Sequence, residues 1–142
     1  MNRLIVLDTN VIVSAGIKAQ SAPSQIVEQV LMGNLILVTC PDIVLEYLEV
    51  MTRPKFKQFG FPPFWLKTCI KMSHMTHENP NPTSDIFTDP KDAVFYHLAA
   101  SFNAVLITGN LKHFPEDNPT GIRVLNPREY LELTRQNSKI AG

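Results

Sequence analysis

The feature that most constrains the fold of this chain is a short apolar run near its start that ends in three polar residues. Residues 4–10 are LIVLDTN, so four apolar side chains are followed at once by an acid, a hydroxyl and an amide. A run without polar alternation predicts a strand buried on both faces, as in a parallel sheet. Asp8 would then lie at the carboxyl end of that strand, the edge at which open α/β sheets bind ligands. Asp8 is therefore the first candidate for chemistry.

The rest of the chain alternates between predicted strands and predicted helices. Further strands are predicted at residues 35–38, 104–107 and 122–125, and helices at residues 21–31, 41–51, 64–75, 92–102 and 127–134. Residues 79–90 and 109–120 are predicted loops. This alternation implies right-handed crossovers and a mostly parallel sheet covered by helices on both faces. The 142 residues contain no linker or repeat, so we expect one domain over residues 1–142, with a frayed tail from about residue 136.

Composition restricts the compartment more than it restricts the function. Cys40 and Cys69 are isolated, lack metal-ligand spacing and are predicted to be buried free thiols in a reducing cytoplasm. No apolar run approaches the ~18 residues that cross a bilayer, and the N-terminus lacks a small-residue cleavage site. We therefore expect neither a membrane span nor a signal peptide. The formal net charge is zero, so overall charge does not predict nucleic-acid binding, although a bound divalent cation would supply positive charge locally.

Several acidic and amide residues fall where chain elements meet the edge that Asp8 marks. Glu46 lies one turn into the helix at residues 41–51, Asp89 and Asp92 flank the start of another helix, and Asn110 follows a strand. In a parallel sheet with the first strand in the centre, the loops after these strands share one edge. Carboxylates that converge there would raise one another's pKa unless a cation intervened. Mg²⁺ and Mn²⁺ take oxygen ligands and are the cations that such a set favours.

Each of these residues also has a purely structural explanation. Asp89 and Asp92 are typical helix caps, Glu46 could lie on a solvated helix face, and Asp8 could cap the turn at Asn10. Taken together, however, the set favours hydrolysis of phosphodiester bonds. A cation held by carboxylates activates water and stabilises charge on the scissile phosphate, so no covalent nucleophile is needed.

The ordered set of motifs resembles the PIN domain. It consists of LDTN at residues 7–10, Ser14, Glu46, DPKD at residues 89–92 and VLITGN at residues 105–110. More narrowly, the chain is similar over nearly its whole length to the small VapC-type toxins of toxin–antitoxin pairs. The resemblance implies a three-layer α/β/α sandwich around a mostly parallel sheet, and a ribonuclease activity that depends on Mg²⁺ or Mn²⁺.

The resemblance also implies roles for single residues. Asp8, Glu46 and Asp92 match the catalytic and metal-binding acids, and Asp89 is an additional nearby acid. Many members of the family carry Asp where this chain has Asn110; an amide can orient a ligand or water but brings no charge, so the number of metal ions stays open. The polar residues that match the lining of the site are Thr9, Asn10, Ser14, Thr108 and Asn110.

A basic and aromatic segment covers residues 51–71, which hold five Lys or Arg residues and no acid. Arg53, Lys55 and Lys57 are candidate RNA contacts, because cations bind phosphate and the neighbouring aromatic rings can stack on unpaired bases. The alternative is that the aromatic residues belong to the core or to a dimer interface and that the cations form a solvated rim.

The sequence therefore predicts a cytoplasmic, metal-dependent endoribonuclease that acts on single-stranded or structured RNA as the toxin of a toxin–antitoxin pair. An antitoxin protein and a second copy of the chain are candidate partners. One alternative is a catalytically weak PIN fold that binds RNA or protein, which Asn110 favours. Another is a phosphohydrolase with Asp8 as nucleophile, but such enzymes usually carry a second Asp at the position occupied here by Asn10.

Overall fold

The computed structural model of the protein describes residues 3–80, 87, 89–115 and 120–141; of residues 137–141 it describes the backbone. The strands are β1 Leu4–Leu7, β2 Ile36–Thr39, β3 His74–Met75, β4 Val105–Ile107 and β5 Val124–Leu125. The α-helices are α1 Thr9–Ile17, α2 Ala22–Leu31, α3 Pro41–Met51, α4 Trp65–Met72, α5 Pro90–Phe102 and α6 Pro127–Ala141. Two 3-10 turns cover Pro54–Phe59 and Leu111–His113.

The five strands form one sheet in the order β3-β2-β1-β4-β5, and each neighbouring pair is parallel. β1 is central, as predicted, and the backbone N–H of Asp8 continues its ladder by donating to the Ile107 carbonyl at 2.9 Å. Ile5, Val6 and Leu7 are all at most 1% exposed. Because successive strand residues point to opposite faces, helices must cover both faces of the sheet. The predicted α/β/α architecture is confirmed.

The helix boundaries follow local chemistry. The Ser21 side chain caps α2 by accepting from the Ser24 N–H at 3.3 Å, and Gly33, with φ of 82°, lies just beyond its end. α3 begins with Pro41 in its first turn, as predicted. α6 runs to Ala141, past its predicted end at residue 134 and into the segment predicted to fray.

The structure also differs from the predictions at three other helices. Helix α1 was not expected, because the β-branched run at residues 11–13 favours a strand. Helix α5 begins at Pro90, before its predicted start at residue 92. The predicted helix at residues 64–75 is too long, since α4 ends at Met72 and residues 74–75 form the edge strand β3. Most of the predicted loop at residues 79–90 lies outside the described residues. The predicted loop at residues 109–120 contains the turn Leu111–His113, and residues 116–119 are likewise not described.

Cys40 and Cys69 are buried free thiols, as the sequence predicts. Within the described ranges, no helix combines the length and the apolar character that a bilayer crossing requires.

A buried tyrosine fixes α3 against the functional end of β1. The Tyr47 hydroxyl donates to the Leu7 carbonyl at 2.5 Å, one residue before Asp8. We expect Tyr47→Phe to lower the free energy of unfolding by about 1–2 kcal/mol, because a buried hydrogen bond is lost without any change in packing. Urea denaturation measures the change.

Tyr130→Phe is the matched control, because the Tyr130 hydroxyl is also buried but has no hydrogen-bond partner within the described part of the chain. Removing that hydroxyl should leave the stability unchanged or raise it by up to about 1 kcal/mol. Equal losses in the two variants would contradict the anchoring role of Tyr47.

Candidate active site

Asp8 occupies the centre of the carboxyl edge of the sheet. The residue is buried, with 7% of its surface exposed. Its Oδ2 accepts from Thr108 Oγ1 at 2.8 Å and from Asn10 Nδ2 at 3.3 Å. Thr108 directly follows β4, so the central pair of strands brings the two residues together. Burial raises the pKa of Asp8, and the Thr108 hydrogen bond opposes that rise. The carboxylate therefore loses much of its hydration, and its hydrogen bonds offset that cost only in part.

Glu46 approaches the same edge from α3. Thr9 Oγ1, in the first turn of α1, donates to Glu46 Oε2 at 2.5 Å. Burial raises the pKa of Glu46, the Thr9 bond lowers it, and the negative charge of Asp8 raises it again. The influence of Asp8 on this pKa shows that the two carboxylates lie within electrostatic reach of each other.

Asp92 and Asp89 enter from the start of α5 and have different environments. The Asp92 side chain is 15% exposed, and burial, supported by the charges of Asp8, Asp89 and Glu46, raises its pKa to about 6. Asp89 is exposed and caps α5, because its Oδ1 accepts from the Lys91 N–H at 2.9 Å. Asp8, Glu46 and Asp92 thus lie within electrostatic reach of one another, whereas Asp89 has the helix-capping role that the structural explanation assigned to it.

Asn10 and Thr108 hold the loop after β4 at this edge by hydrogen bonds to its backbone. Asn10 Oδ1 accepts from the Gly109 N–H at 2.9 Å, and a Cβ built on Gly109 would lie 3.1 Å from that oxygen, so glycine permits the approach. The backbone N–H of Asn110 donates to Thr108 Oγ1 at 3.0 Å. Ser14 is exposed and follows Asn10 by one turn of α1, and no hydrogen bond between its side chain and the acids is found among the described residues.

His113 was not among the predicted site residues, and the turn after β4 places it beside Asp92. Its Nδ1 lies 3.4 Å from Asp92 Oδ2, and its Nε2 lies 2.8 Å from Asn110 Nδ2. The i, i+3 spacing of Asn110 and His113 is the only trace in the sequence, and it is informative only once a 3-10 turn is known there.

A groove of about 440 Å³ runs between α3 and α5 and opens beside Glu46. Its apolar lining includes exposed Leu45 and half-buried Val94, and its charged lining includes both acidic and basic residues. The charged residues that line it are Asp42, Glu46, Glu49, Arg53 and Lys91.

The basic segment divides into bound and free cations. Arg53 pairs with Glu49 through an N···O contact of 2.8 Å, and the Lys55 ammonium lies 5.1 Å from the centre of the Phe56 ring. Lys57 is exposed. Among the aromatic residues, Phe61 is buried in the core whereas Phe64 is 92% exposed. The aromatic part of the segment is therefore divided between the core and the surface, and the RNA contacts stay a prediction.

The donor set at the edge matches a hard divalent cation that is only partly ligated by protein. In the described ranges, no three His, Cys, Asp or Glu side chains are gathered closely enough to enclose a metal ion. Mg²⁺ does not require such a cage, since it is usually bound by one or two carboxylates together with water and substrate phosphate. Buried Asp8 and Asp92, whose charges disfavour each other, fit that requirement.

The chain is similar to known proteins in sequence and in fold. The chain is 26% identical over 138 residues to an uncharacterized protein of Methanocaldococcus jannaschii, a match that covers 90% of this chain and 89% of the relative. It is also similar to a chain in the crystal structure of VapBC2 from Rickettsia felis bound to a DNA fragment from their promoter. That similarity has a TM-score of 0.55 and 18% identity, and covers 87% of this chain and 97% of the other.

The family model of the PIN domain matches residues 4–112, a stretch that begins with β1 and ends inside the turn that carries His113. Because this match covers more than half of the 142 residues, the chain belongs to the PIN domain family, whose members are generally nucleases that use divalent metal ions.

Proposed function

We propose that this protein is an Mg²⁺- or Mn²⁺-dependent endoribonuclease that hydrolyses RNA phosphodiester bonds. The observation that carries the proposal is the convergence of Asp8, Glu46 and Asp92 from three separate elements, with each of the three pKa values raised. Like charges gathered at a partly buried edge are costly for the free protein. Such an arrangement is typical of functional sites, where groups that bind a charged ligand lower the stability of the free protein.

In this mechanism the protein residues hold and orient the reacting groups. Asp8 and Asp92 bind the cation, and Thr108 fixes Asp8 by donating to Oδ2. Glu46, whose Oε2 accepts from Thr9, orients a water in this mechanism through its Oε1. When bound, the cation would lower the pKa of that water and neutralise charge on the scissile phosphate. Asn10 keeps the loop after β4 against α1.

The direct test is cleavage of a mixed single-stranded RNA pool by purified protein in Mn²⁺ or Mg²⁺, compared with the same reaction in EDTA. We expect cuts in either metal and none in EDTA, because the proposed mechanism needs the cation to activate water and to neutralise charge on the scissile phosphate. Cleavage that survives EDTA would contradict the proposal. RNA binding without cleavage in any metal would instead support the binding-module alternative, which the uncharged Asn110 favours.

We also propose that the protein is the toxin of a toxin–antitoxin pair. Its fold similarity to a chain of a VapBC complex supports this role. An antitoxin encoded next to this protein should bind it and block RNA cleavage. Sedimentation of the isolated chain tests the proposed homodimer, for which the exposed Leu45 and Leu48 on α3 are candidate contacts.

The exposed cation Lys57 should contribute to RNA affinity more than Arg53 does, because the Arg53 guanidinium is already paired with Glu49. We expect Lys57→Gln to reduce the slope of log affinity against log salt by about 0.7, the value for one phosphate contact to a single strand. We expect Arg53→Gln to change this slope by less than Lys57→Gln does. Binding is measured by fluorescence anisotropy in EDTA, so that the RNA stays intact.

The control for this comparison is Arg128→Gln, since Arg128 is exposed on α6, outside the basic segment. Its salt slope should equal that of the wild type. If Lys57→Gln also leaves the slope unchanged, the basic segment is a solvated rim and not part of the RNA path.

A further inference from the structure

A chain of contacts links Asp92 to Asn110 through the imidazole of His113. Asn110 Nδ2 lies 2.8 Å from His113 Nε2, and His113 Nδ1 lies 3.4 Å from Asp92 Oδ2. The second contact is longer than an ordinary N–H···O bond, but it leaves the ring nitrogen facing the carboxylate. The imidazole therefore separates an amide on one side from an acid on the other.

The chemistry of the amide determines where the imidazole carries its proton. An amide nitrogen only donates hydrogen bonds, so a neutral His113 must accept at Nε2. Its single proton is then on Nδ1, the nitrogen that faces Asp92 Oδ2. The proton is then on the ring nitrogen that lies 3.4 Å from the Asp92 carboxylate, which accepts hydrogen bonds when it is ionised.

The loop that carries this bridge is fixed to the centre of the site. The Asn110 N–H donates to Thr108 Oγ1 at 3.0 Å, and Thr108 donates to Asp8 at 2.8 Å. The His113 N–H donates to the Asn110 carbonyl at 3.1 Å, which closes the turn over Asn110. The turn that carries His113 is therefore connected to Asp8 through Thr108.

We propose that His113 is a positioning residue that orients the Asp92 carboxylate, and that Asn110 is required here because it fixes the tautomer of His113. This inference rests on the proposed function, in which Asp92 binds the cation. An Asp at position 110 could not donate to Nε2, so it would draw the proton to that nitrogen and turn a lone pair toward Asp92. The amide therefore serves this bridge, and its presence is compatible with an active nuclease.

Three substitutions of His113 separate orientation from simple packing. An Asn side chain places its NH₂ where Nδ1 lies, whereas a Gln side chain reaches only the position of Nε2. We expect His113→Ala and His113→Gln to weaken Mn²⁺ binding about tenfold, the lower end for residues that support metal ligands, and His113→Asn to stay close to wild type. Calorimetry with Mn²⁺ alone measures this. Equal losses in the Asn and Gln variants would overturn the proposal.

A second measurement does not depend on metal or on nuclease activity. Imidazole ¹⁵N shifts of the metal-free protein at about pH 8, where histidine is neutral, report the tautomer directly. We expect the Nδ1–H form for His113 and its loss in Asn110→Leu, while His77→Ala, which removes an exposed histidine, leaves the His113 signals unchanged. An Nε2–H form in the wild type, or no response to Asn110→Leu, would overturn the bridge. If the wild type binds no Mn²⁺, the proposed nuclease function fails, and these shifts alone decide whether the bridge exists.

Discussion

Replacing Asp8 with Asn should reduce RNA cleavage by at least about 100-fold, while the free energy of unfolding stays the same or rises. The cleavage loss is expected to exceed that of a residue supporting a metal ligand, for which 10- to 100-fold is usual, because Asp8 is proposed to contact the cation itself. The stability should not fall, because burial raises the pKa of Asp8 and an amide avoids the cost of a buried charge. The Asn side chain can still accept from Thr108 Oγ1.

The experiment compares cleavage rates in Mn²⁺ with urea denaturation of the same preparations. Glu132→Gln is the matched control, because Glu132 is an exposed acid on α6 whose neutralisation should change neither quantity. Full activity of Asp8→Asn would exclude the proposed centre. Lost activity accompanied by lost stability would leave the cleavage result without meaning, so both measurements belong to the test.

Loss of activity in Asp8→Asn would also be expected if Asp8 were a covalent nucleophile, so that alternative needs its own argument. A phosphohydrolase of that type needs a second free carboxylate two residues on, and Asn10 stands there. The structure shows that Asn10 is engaged at both ends of its amide, with Asp8 Oδ2 at 3.3 Å and with the Gly109 N–H at 2.9 Å. Asn10 therefore holds the loop after β4 against α1. Only the trapping of a phosphorylated Asp8 would restore the nucleophile hypothesis.

The parts of the fold that the sequence predicted are those with a strong apolar period or a strong terminator. The run at residues 4–7 has no polar interruption, and its burial on both faces made it the central strand. α3 begins with Pro41 in its first turn, which marked its start, whereas α5 begins at Pro90, two residues before its predicted start at Asp92. Because these elements carry Asp8, Glu46 and Asp92, the sequence was sufficient to select the three acids of the proposed site.

The elements that the sequence did not predict depend on tertiary contacts. α1 has three β-branched residues in succession and becomes helical because packing against α2 and α3 overrides that local preference. β3 consists of only two residues, His74 and Met75, and exists because β2 offers a partner. His113 joins the site through a 3-10 turn that has no apolar period. Pairing across a sheet and the closing of a turn are properties of the folded chain, so single-sequence patterns do not report them.

Asp92→Asn should make the metal-free protein more stable at neutral pH, by about 1–3 kcal/mol. Burial, with the charges of Asp8, Asp89 and Glu46, raises the pKa of Asp92 from 3.8 in the unfolded chain to about 6 in the folded protein. The folded state therefore holds its proton more tightly than the unfolded state. As pH rises from about 4 to 6, the wild type loses this stabilisation, and above about 6 the loss is complete. Asn does not ionise, so the variant lacks that part of the pH dependence.

Urea denaturation in EDTA between about pH 4 and 8 measures the effect, with Glu132→Gln as the exposed control. A wild type and an Asp92→Asn protein with parallel pH profiles would contradict the burial of an ionised Asp92. Adding Mn²⁺ at pH 7 should reverse the order, because the cation binds only the folded state and stabilises the wild type more than the variant. The repulsion between the carboxylates, which destabilises the free protein, and their affinity for a cation then have the same origin. A variant that removes the repulsion must therefore also lose cation affinity.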